Sequence, residues 1–126
     1  MKILVVDDEL DTQILFQQRF RKMIQSGEII LDFATSGEAA LTYLSKHTSE
    51  AVLILSDINM PGMTGLQLLE KIKQKYVTPP PVVMMITAYG DPENFKQAME
   101  LGADDFLTKP LDFNLLKEKL LKKFHD

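Results

Sequence analysis

Three carboxylates, a hydroxyl and an ammonium are set off in this chain because each follows or closes a short apolar run. Asp7 and Asp8 come straight after Ile3-Leu4-Val5-Val6, and Asp57 comes just after Val52-Leu53-Ile54-Leu55. Thr87 ends Val82-Val83-Met84-Met85-Ile86, and Lys109 follows the weaker run from Asp104 to Leu107. Three carboxylates brought together repel one another and retain protons unless a cation neutralises them. Mg2+ is the natural candidate, since it takes hard oxygen ligands, keeps several waters and often completes its shell with phosphate. A lysine and a hydroxyl alongside supply a point charge and a hydrogen-bond donor for phosphoryl oxygens. That set suits phosphoryl transfer, in which positioning and charge neutralisation do most of the catalysis. A carboxylate can itself be the nucleophile, giving an acyl phosphate.

Taken singly, each residue has a plainer reading. Asp7-Asp8 reads as a strand stop and helix N-cap, and Asp57 as an exposed loop acid. Thr87 reads as a β-branched strand end and Lys109 as a solvated lysine. Their shared place at one end of successive strands favours a site, because the plainer readings then need four coincidences. His47, in a polar loop, and His125, at the C-terminus, are assigned no part in it. Lys117, Lys119, Lys122 and Lys123 read as the solvated face of the last helix.

The elements that must position these groups are legible from periodicity. Unbroken apolar, β-branched runs such as Ile3 to Val6 are strands buried on both faces, as in a parallel sheet. Ile29 to Ala34 and Asp104 to Leu107 are weaker strands. Between them, Ile14, Phe16, Phe20, Met23 and Ile24 give one apolar helical face, and Leu116, Leu120 and Phe124 another. Thr64-Gly65-Leu66-Gln67 fits a capping box, and Asp91-Pro92 an N-cap followed by proline at the first helical position. Gly102 stands where a helix would take its left-handed terminal residue, and Pro79-Pro80-Pro81 is a stiff loop. Strand and helix alternate five times, which predicts a doubly wound α/β fold: a five-stranded parallel sheet with five helices over both faces. In such sheets ligands sit beyond the carboxyl ends of the strands, and the five polar residues converge there.

Composition narrows the classes. The chain has 126 residues, 45% of them hydrophobic and 25% charged, which is one domain with enough apolar surface for a core. Zero cysteines exclude disulfides, thiolate nucleophiles and thiolate-bound metals. No apolar run approaches the roughly 18 residues of a membrane span, and Ile3 to Val6 is too short for a signal peptide. The net charge of −4 argues against direct nucleic-acid binding. A cytoplasmic domain spanning residues 1–126, with no membrane role, is the expectation.

The chain resembles the receiver domain of two-component response regulators, chemotaxis-regulator-like, along essentially its whole length. The matching pieces are Ile3-Leu4-Val5-Val6-Asp7-Asp8-Glu9, Asp57-Ile58-Asn59-Met60-Pro61-Gly62-Met63-Thr64-Gly65, Thr87-Ala88-Tyr89, and Gly102 to Pro110. Together, in this order and spacing, they are highly specific. The resemblance implies the flavodoxin-like strand order 2-1-3-4-5. It implies that Asp57 accepts a phosphoryl group from the phosphohistidine of a sensor histidine kinase or histidine phosphotransfer protein. Asp8 and Asp57 would bind Mg2+ directly with the Asn59 main-chain carbonyl, and Asp7 through water. Thr87 and Lys109 would contact the phosphoryl group, and Tyr89 would be the switch aromatic. A cis Lys109–Pro110 bond is also implied. The domain would catalyse its own Mg2+-dependent phosphorylation and slow dephosphorylation, without conventional turnover. Its readout face for an output domain, an effector or a phosphorylation-dependent homodimer would combine the fourth helix, fifth strand and last helix.

Two other aspartate or phosphate chemistries fit less well. A haloacid-dehalogenase-like phosphatase wants its nucleophile on the first strand and an acid two residues later, where this chain has Asn59. A flavin module wants a Ser/Thr/Gly-rich phosphate loop after the first strand, where Asp7-Asp8-Glu9-Leu10-Asp11 would repel a phosphate.

Overall fold

The computed structural model describes residues 1–47, 52–76, 81–88 and 91–124, with Lys123 and Phe124 described by backbone alone. Five strands form one parallel sheet: β1 (Lys2–Val6), β2 (Ile30–Ala34), β3 (Val52–Asp57), β4 (Val82–Ala88) and β5 (Asp105–Lys109). Their order is β2-β1-β3-β4-β5, the flavodoxin-like arrangement expected. The helices are α1 (Leu10–Arg19), α2 (Arg21–Gln25), α3 (Gly37–Lys46), α4 (Gly65–Lys75), α5 (Pro92–Glu100) and α6 (Phe113–Phe124). The expected count was five. The sixth arises because the first helical segment breaks at Phe20, whose φ of −103° and ψ of 12° leave the helical region. Hydrogen bonds still bridge the break, from Phe20 N–H to the Phe16 carbonyl and from Ile24 N–H to the Phe20 carbonyl. The Phe20 ring is pinned there, stacked on Phe16 and edge-on to Phe113.

Alternation along the strands sends successive side chains to opposite faces. Leu4, Val6, Ile54, Val83 and Met85 face a core closed by Ala40 and Leu44 of α3, Leu68, Leu69 and Ile72 of α4, and Ala98 of α5. Ile3, Val5, Leu53, Leu55, Met84 and Ile86 face a second core closed by Phe16, Phe20, Phe113, Leu116 and Leu120. Each large side chain taken out of water in this way contributes about 1.5–3 kcal/mol. The β1 and β3 runs are therefore apolar throughout because both faces are covered.

Several expectations shift at their edges. Ile14 is exposed and not part of the buried face of α1, where Phe16 is the buried residue. β5 runs to Lys109 and not to Leu107, so the lysine closes the strand. β4 continues one residue past Thr87. The capping box at α4 is complete: Gln67 N–H donates to Thr64 Oγ1 and Thr64 N–H to Gln67 Oε1. Asp91 caps α5 by accepting from Asn94 N–H. Gly102 has the left-handed φ of +95°, and Lys109–Pro110 is cis. Pro79, Pro80, Tyr89 and His125 lie outside the described residues, as does the Phe124 side chain.

Candidate functional site

Parallel pairing brings the carboxyl ends of β1, β3, β4 and β5 to one rim. Val6 pairs with Ser56, Asp57 with Ile86, and Thr87 with Thr108. Asp7 leaves β1 with its N–H donating to the Ala34 carbonyl of the neighbouring strand, which anchors the turn. Its side chain is buried, and Oδ1 accepts from Glu9 N–H at 2.8 Å. Asp8, the next residue, is exposed. Asp57 is the last residue of β3 and only 4% exposed. Carboxylate oxygens of Asp7, Asp8 and Asp57 lie within 4.8 Å of one another, as the convergence argument required.

Lys109 reaches into this acidic group from β5. Its Nζ is 3.2 Å from Asp57 Oδ2 and 3.8 Å from Asp7 Oδ2. Burial raises the Asp57 carboxyl above the ordinary value of 3.8. Lys109 and the Asn59 backbone N–H pull it down, Asp7 pushes it up, and burial prevails. For Lys109, burial works against the charge, but Asp57 outweighs it, with help from Asp7 and Glu9, and the ammonium holds its proton more tightly than usual. One ammonium does not neutralise three carboxylates. The site has surplus negative charge and hard oxygen donors, which fits a small divalent cation.

Thr87 is fully buried, and its Oγ1 has no hydrogen-bond partner among the described residues. Leaving a buried hydroxyl unsatisfied costs about 1–3 kcal/mol, so the atom stands ready to donate to an incoming oxygen. Asn59 is exposed on the loop between β3 and α4. The structure thus gathers Asp7, Asp8, Asp57 and Lys109 by direct measurement and places Thr87 and Asn59 on adjoining segments. Tyr89 falls outside the described residues. His47 is elsewhere, stacked on Tyr43 of α3. Lys119 differs from its expected solvated role, because its ammonium is ion-paired with Asp105 at 2.9 Å across β5 and α6.

Two supporting residues were not anticipated from the sequence. Ser56 is fully buried, and its hydroxyl donates to the Asp57 carbonyl at 3.0 Å. Gly65 opens α4 directly against the backbone of Asp57. A methyl group there would collide with the Asp57 carbonyl oxygen and come within 2.7 Å of Ile58 Cα. The only signal of this in the sequence is a glycine at the first helical position, where alanine would otherwise be the better helix former.

Comparison with known proteins agrees with the geometry. Residues 3–121 match the family described as response regulator receiver domain. The chain is 37% identical over 110 residues to the response regulator RppA of Synechocystis, covering 87% of this chain and 44% of that protein. It is 37% identical over 120 residues to a cyclic di-GMP phosphodiesterase of Thermotoga maritima, covering 95% of this chain and 30% of that protein. It thus spans less than half the length of either relative. Among solved structures it is similar to the chemotaxis protein CheY4 of Vibrio cholerae, with a TM-score of 0.78 and 26% identity over 96% of both chains.

Proposed function

The chain belongs to the response regulator receiver domain family, and from that premise we propose that Asp57 is the residue that accepts the phosphoryl group. The observation that carries the proposal is the setting of this one carboxylate: buried, beside two further acids and ion-paired to Lys109. Receiver domains are the phosphoryl-accepting switches of two-component systems. Transfer from a phosphohistidine breaks the P–N bond, returns its electron pair to the imidazole nitrogen and forms a bond from an Asp57 carboxylate oxygen to phosphorus. Lys109 is positioned to balance charge on the phosphoryl oxygens, and the Thr87 hydroxyl to donate to one of them. Such a group adds roughly −1.5 to −2 charge for common phosphoresidues at neutral pH.

Mg2+ fits the carboxylate set. Asp8 and Asp57 would hold it directly, together with the Asn59 carbonyl, and Asp7 through water. When bound, the ion neutralises carboxylate and phosphoryl charge. The phosphoryl donor would be a sensor histidine kinase or a histidine phosphotransfer protein. The readout face would combine α5, β5 and α6, the fourth, fifth-strand and last-helix surface of the sequence reading. Phe95 and Met99 of α5 are exposed there, and Phe95 packs edge-on against Phe106 of β5. That face would engage an output domain, an effector or a second copy of the chain. Among the described residues, no helix is long and apolar enough to cross a membrane, and a cytoplasmic setting suits a kinase-fed switch.

Acetyl phosphate with Mg2+, followed by intact-mass measurement of the parent and of Asp57→Asn, tests the assignment. One phosphoryl group on the parent and none on the variant is the expected result. Equal labelling of both would overturn it, and chelation of Mg2+ should suppress labelling of the parent.

A further inference from the structure

The loop between β3 and α4 carries Asn59 and so lies beside the acceptor carboxylate. It is fastened at both ends by backbone hydrogen bonds. Ile58 N–H donates to the Ile86 carbonyl at 2.9 Å, and Gly65 N–H to the Ile58 carbonyl at 2.8 Å. Ile58 and Met60 are buried in the core. The remaining span turns at Gly62, with a φ of +75°, and then reaches Met63. Met63 is half-buried and lies over the first residue of α3, Gly37.

Gly37 is a glycine without a conformational reason. Its φ is not positive, unlike those of Gly27, Gly62 and Gly102, so any L-residue could adopt its backbone. Ser36 already caps the helix, accepting from Ala39 N–H. The three heavy atoms nearest to a side chain there all belong to Met63. A Cβ on residue 37 would lie 2.6 Å from Met63 Sδ, 2.9 Å from its Cγ and 3.0 Å from its Cβ. A rotamer change can withdraw the sulfur, but Cβ is fixed to the loop backbone. Relief therefore unseats Sδ and Cγ from α3, and the Cβ contact asks a few tenths of an ångström more of the loop or of α3.

We propose that Gly37 is a positioning residue for the acceptor site: its missing side chain seats Met63, and that seat holds the loop that sets Asn59 against Asp57. This rests on the reading of Asp57 as the phosphoryl acceptor. The consequence passes through two groups of Asn59. Its backbone N–H favours the ionised form of the Asp57 carboxyl, and its carbonyl would serve the metal. A displaced loop weakens both while leaving Asp57, Asp7 and Lys109 on their strands.

The test is a cycle of Gly37→Ala, Met63→Ala and the double variant. Three quantities are read: the phosphorylation rate with acetyl phosphate and Mg2+, the half-life of the aspartyl phosphate, and the Asn59 amide shift in NMR without donor. Gly37→Ala should shift the Asn59 amide and slow phosphorylation at least fivefold. In the Met63→Ala background, where Sδ and Cγ are gone and only the 3.0 Å Cβ contact remains, the same change should alter the rate less than twofold. An unmoved Asn59 amide and parental rate in a folded Gly37→Ala protein would overturn the proposal. So would an equal loss in both backgrounds. If Gly37→Ala alone fails to fold, the comparison of Met63→Ala with the double variant decides by the same twofold criterion. A parent that takes up no phosphoryl group on Asp57 defeats the acceptor reading instead, and the amide shift still reports whether residue 37 sets the loop.

Discussion

Asp57 is costly to ionise in the folded protein, and that cost has a pH signature. Burial raises its carboxyl above the ordinary 3.8 despite Lys109. The native state therefore binds this proton more tightly than the unfolded chain does. The sign follows: stability associated with the protonated form is full below 3.8 and is lost as pH rises through the raised native value. Asp57→Asn cannot ionise, so without Mg2+ it should melt at a higher temperature than the parent at pH 7. The difference should shrink as the pH falls below 3.8; an advantage that grows on acidification would refute the cause. Lys109 titrates at the other end of the scale. Its raised value means its contribution is full below 10.5 and fades as pH climbs through the native value. Lys109→Ala should keep Mg2+ binding, measured calorimetrically, and lose the phosphorylation-dependent change in structure. Thr87→Val should move stability and signalling in opposite directions. It keeps the volume and removes the unsatisfied hydroxyl, so melting should rise by roughly 1 kcal/mol while the phosphorylated state loses its structural response.

At the scale of elements, α4 is where local sequence and site geometry meet. Its capping box is a local device, and Thr64→Ala should cost about 1 kcal/mol in thermal unfolding. Gly65, the next residue, is a different case. Alanine there meets the Asp57 carbonyl and Ile58 Cα, neither of which belongs to a flexible side-chain tip. Gly65→Ala should therefore destabilise by more than Thr64→Ala although it improves helix propensity, and a smaller effect would mean the strand end yields easily. The capping box was legible because its parts sit three residues apart. The role of Gly65 was not, because its partner is eight residues away across a turn whose path the sequence does not specify. The same distinction explains the first helix. Its apolar spacing was visible, but the break at Phe20 coincides with ring packing against Phe113, in the last helix of the chain.

For the whole molecule, the sheet order and the gathering of Asp7, Asp57 and Lys109 could be anticipated because apolar runs mark strands and parallel strands share one ligand-bearing end. What could not be anticipated was the contact between Gly37 and Met63, which depends on how two connections pack once the sheet exists. Global stability should respond to the cation that the acids fit. A ligand bound only by the folded state adds about 2.7 kcal/mol at a hundredfold excess over its dissociation constant. Mg2+ should accordingly raise the melting temperature of the parent, EDTA should reverse the rise, and Asp57→Asn should gain less.

Topology also fixes when the protein can first respond. The ammonium that meets Asp57 lies 52 residues further along the chain, on the edge strand β5. During synthesis Asp57 emerges well ahead of its counter-charge, on a strand whose neighbour β4 has yet to be made. On the proposed reading of Asp57 as the acceptor, a half-made molecule would present the aspartate without the lysine that answers it. Because β5 completes this group of side chains, a copy that lacks it should fail to switch, and competence to be switched would report that the sheet is closed.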